Sequence, residues 1–124
     1  MFSNKETSGY HLLLDVRGIQ NINVITDREA MLKLLDTICE QLNLTVLNKN
    51  HHQFSSNGAI TAVYMLTESH ISIHTYPERN FVAMDLYSCK QYETDDILYQ
   101  TAGFIITILG GSVDSEFKIF NRKF

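Results

Sequence analysis

The segment at residues 67–78 reads TESHISIHTYPE, and the rest of the chain is organised around it. Between residues 70 and 75 polar and apolar side chains alternate, which predicts a β-strand with Ile71 and Ile73 on a core face. The polar side chains on the opposite face are those of His70, Ser72 and His74. Pro77 ends the strand because proline cannot donate a hydrogen bond to a β-ladder. Two interpretations are open: an edge strand with polar side chains in water, or a strand that carries a binding or catalytic site.

Apolar alternation elsewhere in the chain predicts the strands that would pair with this segment. They are expected at residues 11–16, 45–47, 60–66, 81–89 and 112–120. The segment 48–58 is polar and turn-forming. We therefore expect His51, His52 and Phe54 on a loop, where an aromatic ring can cover the core or stack on a planar ligand.

Two helices are predicted from helical spacing of apolar residues. Thr26 and Glu29 have the spacing of a capping box, and the residues that follow predict a helix at 27–42. Thr94 is expected to cap a second helix that ends at residues 110–111. The order of elements predicts an α+β two-layer sandwich, in which a mainly antiparallel sheet carries two helices on one face. Homodimerisation would be a simple way to bury the other face.

Length and composition restrict the classes of protein to which this chain can belong. A chain of 124 residues with 44% hydrophobic and 19% charged residues is expected to form one domain of the ordinary soluble class. With a net charge of -4, the chain is not expected to have the basic surface that binds nucleic acid. The longest apolar runs are far shorter than the roughly 20 residues of a membrane span. We expect no secretory signal and no disulfide framework, hence a cytoplasmic protein in which Cys89 is a free thiol.

A metal site at His70, His74 and Cys89 is not expected. Residues four apart on a strand lie roughly 13 Å from each other, whereas zinc ligands lie about 2.0–2.3 Å from the ion. One ion cannot bridge the two histidines while the strand stays regular.

Two motifs then resemble a known family. Glu68-Ser69-His70, followed by IHTYPE at residues 73–78, resembles the self-cleavage and active-site segment of the prokaryotic S-adenosylmethionine decarboxylases. The resemblance covers most of the chain. Its further elements are Gly9, His11 and Asp15, the HHQF stretch at 51–54 with Gly58 and Thr61, and the DLYSC stretch at 85–89.

The resemblance implies a covalent pyruvoyl group made by the chain itself, with no pyridoxal phosphate (PLP) and no metal. The hydroxyl of Ser69 would attack the carbonyl of Glu68, and ester elimination and hydrolysis would leave pyruvoyl in place of Ser69. The products would be a β chain of residues 1–68 and an α chain of residues 69–124. A carbonyl of this kind is the electron sink that amino-acid decarboxylation needs.

The resemblance also implies roles for individual side chains. His74 is similar to the processing base, Thr61 to the hydroxyl that supports the acyl shift, and Cys89 to the acid that reprotonates the product. Phe54, Tyr76 and Glu78 are similar to the residues that bind S-adenosylmethionine. The family implies homodimers with active sites near the subunit interface.

The chain departs from the family at three places, which keeps alternatives open. Lys90 stands where the family usually has glycine, and residues 55–57 replace a proline-containing turn. One extra residue lies between Phe54 and Ser69, so Gln53 or His52 could take the place of Phe54. The same chemistry could act on ornithine or arginine, or the chain could be an uncleaved, inactive relative that binds a partner. A cysteine hydrolase that uses Cys89 and His74 is a further interpretation.

Overall fold

Six strands form one antiparallel sheet in a computed structural model that describes residues 8–124. The strands are β1 (Ser8–Val16), β2 (Val46–Gln53), β3 (Ile60–Leu66), β4 (Ser69–Tyr76), β5 (Phe81–Ser88) and β6 (Glu116–Lys123). Their order across the sheet is β2-β3-β4-β5-β1-β6. The predicted α+β sandwich is confirmed. The edge-strand interpretation of residues 70–75 is wrong, because β4 pairs with β3 on one side and with β5 on the other.

Three helices accompany the sheet: α1 (Ile22–Ile25), α2 (Arg28–Gln41) and α3 (Asp96–Ile108). The two long helices were predicted, whereas α1 was not. A short 3-10 turn, Pro77–Arg79, follows β4. None of these helices of residues 8–124 is long and apolar enough to cross a bilayer.

The helix starts differ slightly from the predicted caps. Asp27, not Thr26, caps α2: its side chain accepts a hydrogen bond from the backbone N–H of Ala30 at 3.1 Å. Thr26 instead ends α1, where its hydroxyl donates to the Ile22 carbonyl. The residue that caps α3 is Asp95, and the Thr94 hydroxyl accepts from the N–H of Asp96 at 3.3 Å. Adjacent Thr and Asp residues compete for one cap, so the pattern located each start only to within one residue.

The core lies between the helices and one face of the sheet. Ile71 and Ile73 of β4 are fully buried there, as are Leu35 and Ile38 of α2. The opposite face of the sheet carries exposed apolar side chains, among them Leu13, Val63 and Met65. Alternation along each strand therefore separates a helix-covered face from a second face, which we call the open face.

The bounds of three strands differ from the prediction: β1 begins at Ser8 and not at residue 11, and both β2 and β6 are shifted or extended. His51 and His52 belong to β2, paired with Ala62 and Thr61, and not to a loop. Pairing with β3 supplies the backbone hydrogen bonds that let polar residues of low strand propensity extend this edge strand. Phe54 follows β2 directly and, with Gly58 at φ +77°, closes the turn to β3. The last strand begins at Glu116, because residues 112–115 form a turn in which the Ser115 N–H donates to the Ser112 carbonyl.

Candidate active site

The two-residue turn between β3 and β4 contains the predicted cleavage site. Leu66 pairs with Ser69, so Thr67 and Glu68 alone connect the two strands. Ser69, the first residue of β4, has φ +155°. Residues other than glycine rarely adopt this backbone conformation. It stores about 1–3 kcal/mol of strain and persists only where the surrounding contacts impose it. The strain lies at the residue whose hydroxyl would attack the preceding peptide bond.

Glu68 is held by two hydrogen bonds from neighbouring backbone. Its carbonyl accepts from the N–H of Cys89 at 3.0 Å, and its carboxylate accepts from the N–H of Thr45 at 3.0 Å. Cys89 follows β5 directly, and the β4–β5 register places Ser69 opposite Ser88. The topology therefore brings Glu68, Ser69 and Cys89 together, and we call these three residues the cleavage half-site.

The two cysteines differ in environment. Cys89 is a half-buried free thiol beside the turn, whereas Cys39 lies inside the core. Burial, and next the nearby carboxylate of Asp36, raise the pKa of Cys39 to about 11. Cys39 is therefore a packing residue, and Cys89 is the thiol that is available for chemistry.

The five remaining predicted residues line one open pocket at the other end of β4. Phe54, Thr61, His74, Tyr76 and Glu78 contribute to a cavity of about 370 Å³. This volume lies in the range of roughly 300–1,000 Å³ that is typical of small-molecule sites. We call these residues the pocket half-site.

Contacts within the pocket half-site orient its polar groups. His74 Nδ1 lies 3.4 Å from the Thr61 hydroxyl, and these residues face each other across β3 and β4. Asn57 Nδ2 donates to Glu78 Oε2 at 3.2 Å. The Tyr76 ring lies 5.7 Å from the ring of Phe81 and remains partly exposed. The pocket thus offers aromatic faces and a carboxylate to a ligand.

The turn after β2 places Phe54, and not its neighbours, in the pocket. Phe54 is 47% exposed, and its ring contacts that of His52 edge-on at 4.6 Å. The amide of Gln53 is used elsewhere, since it donates to the carbonyls of Thr26 and Gly58. The altered sequence at 55–57 therefore still presents an aromatic ring to the pocket.

The two half-sites are far apart within one chain. His74 lies five residues beyond Ser69 on β4, which at about 3.3 Å per residue is a separation of roughly 16 Å. A general base must come within about 3 Å of the proton that it removes. In a single chain His74 and Thr61 therefore do not reach Ser69.

A hydrogen-bonded network occupies the open face between the two half-sites. Asp85 Oδ2 lies 2.8 Å from His11 Nε2 and 2.9 Å from His70 Nε2, and the Ser72 hydroxyl donates to Oδ1. Burial by itself raises the pKa of Asp85, but the hydrogen bonds from Ser72, His11 and His70 outweigh it and hold the pKa below its usual value. Asp85 is thus an ionised carboxylate that orders three neighbouring side chains.

This network is also the arrangement closest to a metal site among residues 8–124. The ligand atoms of His11, His70 and Asp85 lie within 4.8 Å of one another. Arg122 Nη1 lies 3.3 Å from His11 Nδ1, and since a guanidinium only donates, His11 carries its proton on Nε2 towards Asp85. The donor set is therefore arranged as a hydrogen-bond network. His74 contacts Thr61, so the His70, His74 and Cys89 set is not gathered around one point.

Sequence reasoning did not identify Asp85 as an organising residue, although a signal was present. The strand FVAMDLYS alternates buried and half-buried residues, and Asp85 is its only charged residue. A carboxylate in an internal apolar strand must find donors. The sequence did not reveal that His11 of β1 and His70 of β4 would supply them.

Comparison with known proteins gives matches to one family. Residues 10–105 match the family model described as S-adenosylmethionine decarboxylase. Relatives named S-adenosylmethionine decarboxylase proenzyme include one from Brevibacillus brevis, 43% identical over 68% of this chain, and one from Clostridium botulinum, 31% identical over 86% of it. These alignments span 62% and 97% of the respective relatives.

A solved structure shows the same fold. The adenosylmethionine decarboxylase from Aquifex aeolicus superimposes with a TM-score of 0.80 and 30% identity, over 96% of this chain and 93% of that one. Fold and sequence together define an enzyme of the decarboxylase class. The chain belongs to the S-adenosylmethionine decarboxylase family.

Proposed function

We propose that this chain is a proenzyme that cleaves itself between Glu68 and Ser69 and then decarboxylates S-adenosylmethionine. The observation that carries the proposal is the conformation of the turn: Ser69 is strained at φ +155°, and the Glu68 carbonyl already accepts a hydrogen bond from the Cys89 N–H. A donor on the attacked carbonyl stabilises the oxyanion that forms in an acyl shift. Strain at Ser69 destabilises the amide and so favours its conversion to the ester.

Self-cleavage proceeds in three balanced steps. Ser69 Oγ bonds to the Glu68 carbonyl carbon as the C–N bond breaks, which gives an ester and a free amine at residue 69. Removal of the Ser69 α-proton then breaks the Cβ–O bond, and Glu68 leaves as the carboxylate end of the β chain. The dehydroalanine that remains takes up water and loses ammonia, and the α chain begins with a pyruvoyl group.

A second copy of the chain completes the site. Because His74 lies roughly 16 Å from Ser69 along β4, and Thr61 is paired with His74 on β3, the pocket half-site that serves each Ser69 comes from the partner of a homodimer. The exposed apolar residues Leu13, Val63 and Met65 make the open face a suitable surface for this association. His74 of the partner subunit then removes the Ser69 α-proton during ester elimination.

In the processed enzyme the pyruvoyl group supplies the electron sink for loss of carbon dioxide. The Cys89 thiol holds the proton that returns to the α-carbon of the product. Phe54 and Tyr76 stack on the adenine and attract the sulfonium through their faces, and Glu78 binds the ribose hydroxyls. The product would be the aminopropyl donor for spermidine and other polyamines.

Lys90 does not favour a different amino-acid substrate. Its ammonium donates to the Asn43 carbonyl at 3.0 Å, so the added charge is held at the end of α2. The aromatic lining suits a planar adenosyl group better than the unbranched, cationic side chains of ornithine or arginine. Incubation of processed protein with the three amino acids, with product identification, separates these substrates.

Intact-mass analysis of the wild type beside Ser69→Ala tests cleavage. We expect the wild type to yield fragments 1–68 and 69–124, the second with a carbonyl at its first residue that reacts with hydrazines. The Ser69→Ala chain should stay intact. A wild-type chain that keeps its full length after prolonged incubation refutes the proposal and favours an uncleaved relative that binds a partner.

A further inference from the structure

The segment between α2 and β2 contacts the two residues that precede the scissile bond. Helix α2 ends in a Schellman-type turn: Asn43 has φ +56°, its N–H donates to the Glu40 carbonyl, and the Leu44 N–H donates to the Cys39 carbonyl. This turn directs the backbone of Thr45 towards the β3–β4 hairpin. We call residues 43–45 the anchor segment.

The anchor segment holds both residues of the hairpin turn. The Thr45 N–H donates to the Glu68 carboxylate at 3.0 Å, and the Thr45 carbonyl accepts from the Thr67 N–H at 2.9 Å. At the scissile peptide itself, the Cys89 N–H donates to the Glu68 carbonyl at 3.0 Å. Glu68 is therefore fixed through its side chain and its carbonyl at once.

Lys90 closes this set of contacts into a ring. Its ammonium donates to the Asn43 carbonyl at 3.0 Å, and its N–H donates to the Ser88 hydroxyl at 3.1 Å. The ring of contacts thus runs from Asn43 through Thr45 to Glu68, from Glu68 to Cys89, and from Lys90 back to Asn43. A cation on a carbonyl at the end of a helix is also favoured by the helix dipole.

We propose that Glu68 and Lys90 are positioning residues for self-cleavage, which hold the scissile peptide in its strained conformation through the anchor segment. A strained φ persists only where neighbouring contacts over-determine it. The β4 ladder holds Ser69 on one side, and the ring of contacts holds Glu68 on the other. Without the ring, the turn relaxes and the hydroxyl of Ser69 loses its approach to the Glu68 carbonyl carbon. The inference rests on the proposed self-cleavage.

Rates of fragment formation in paired variants of Glu68 test the inference. Glu68→Gln keeps an oxygen that accepts from the Thr45 N–H, whereas Glu68→Ala removes it. We expect Glu68→Ala to cleave about tenfold more slowly than wild type, and Glu68→Gln to stay within about threefold of it, as for loss or retention of one charge-assisted hydrogen bond. The inference is overturned if Glu68→Ala cleaves as fast as wild type, or if Glu68→Gln cleaves as slowly as Glu68→Ala.

Lys90 is tested in the same way. Lys90→Met removes the donor at nearly constant length and should slow cleavage several-fold, whereas Lys90→Arg should restore most of the rate. Lys33→Met is the matched control, since Lys33 is an exposed lysine on α2. Asn43→Gly keeps both the carbonyl and the left-handed backbone and should cleave at the wild-type rate. A Lys90→Met chain as fast as Lys33→Met contradicts the role of Lys90.

Two further measurements separate positioning from loss of folding. In a Ser69→Ala background, which keeps every variant in one covalent form, the Tm of Glu68→Ala and Glu68→Gln should agree, while amide exchange at Thr45 is faster in Glu68→Ala. If the wild type cleaves but amide exchange at Thr45 is unchanged in Glu68→Ala, the role of the anchor segment is refuted and the proposed self-cleavage stands. An uncleaved wild type refutes the proposed function, and the anchor with it.

Discussion

Complementation between two inactive variants tests whether the site is completed by a second chain. Ser69→Ala lacks the nucleophile, and His74→Ala lacks the base. The distance of roughly 16 Å between these positions along β4 excludes contact within one chain. Co-expression of the two variants should therefore restore cleavage that neither shows alone.

The expected yield follows from the symmetry of a dimer. Random pairing of equal amounts makes half of the dimers mixed, and each mixed dimer has one site in which Ser69 and His74 are both intact. About half of the His74→Ala chains, and none of the Ser69→Ala chains, should then release a fragment 69–124 that carries a carbonyl at its first residue. Mass spectrometry of differently tagged chains gives both fractions.

A second pairing serves as the control. When wild type is co-expressed with the double variant Ser69→Ala/His74→Ala, neither site of a mixed dimer is complete, so only about half of the wild-type chains should cleave. If all site residues acted within one chain, every wild-type chain would cleave and the first pairing would give no carbonyl-bearing fragment. That pair of results would refute the two-chain site.

Other predictions concern the pocket, the thiols, the open-face network and the core. Glu78→Gln should raise the KM for S-adenosylmethionine about tenfold with little change in kcat, as for a lost interaction with a bound ligand. At pH 8 a soluble alkylating reagent should modify Cys89 in the folded protein and spare Cys39, whose pKa of about 11 keeps it protonated; mass spectrometry of peptides shows the site. Because the pKa of Asp85 is lowered, the stabilisation that its carboxylate contributes is complete above about pH 3.9 and is lost as the pH falls through the pKa of the folded state. Denaturant titrations at several pH values should therefore show the largest loss of stability in Asp85→Asn, relative to wild type, near neutral pH. Leu35→Ala, at a fully buried position, should lower the free energy of unfolding by about 2–5 kcal/mol in denaturant titrations.

Much of the fold could be predicted because its signals are local. Alternation located β3, β4 and β5 to within a residue or two, and helical spacing located α2 and α3. Strand β2 was cut short, since its polar sequence forms a strand only by pairing with β3. The short helix α1 was missed because Asn21, which caps it, is equally a loop residue.

The candidate site was less accessible to sequence reasoning. The resemblance of Glu68-Ser69-His70 to a self-cleavage segment predicted the scissile bond, and the resemblance of residues 85–89 predicted that Cys89 acts with it. The division into two half-sites did not follow from the motif, which suggests one continuous site. It follows from the rise of the strand, which carries His74 away from Ser69.

The sequence by itself determined which residues face the core and which face outward, because side-chain parity depends only on neighbours along the chain. It also determined that Glu68 and Ser69 lie between the strands predicted at 60–66 and 70–75. The tertiary structure decided which of these residues meet: Asp85 with His11 and His70, Glu68 with Thr45 and Cys89, and Lys90 with the end of α2. Such contacts depend on the register between strands and on the packing of distant segments, which local patterns do not specify.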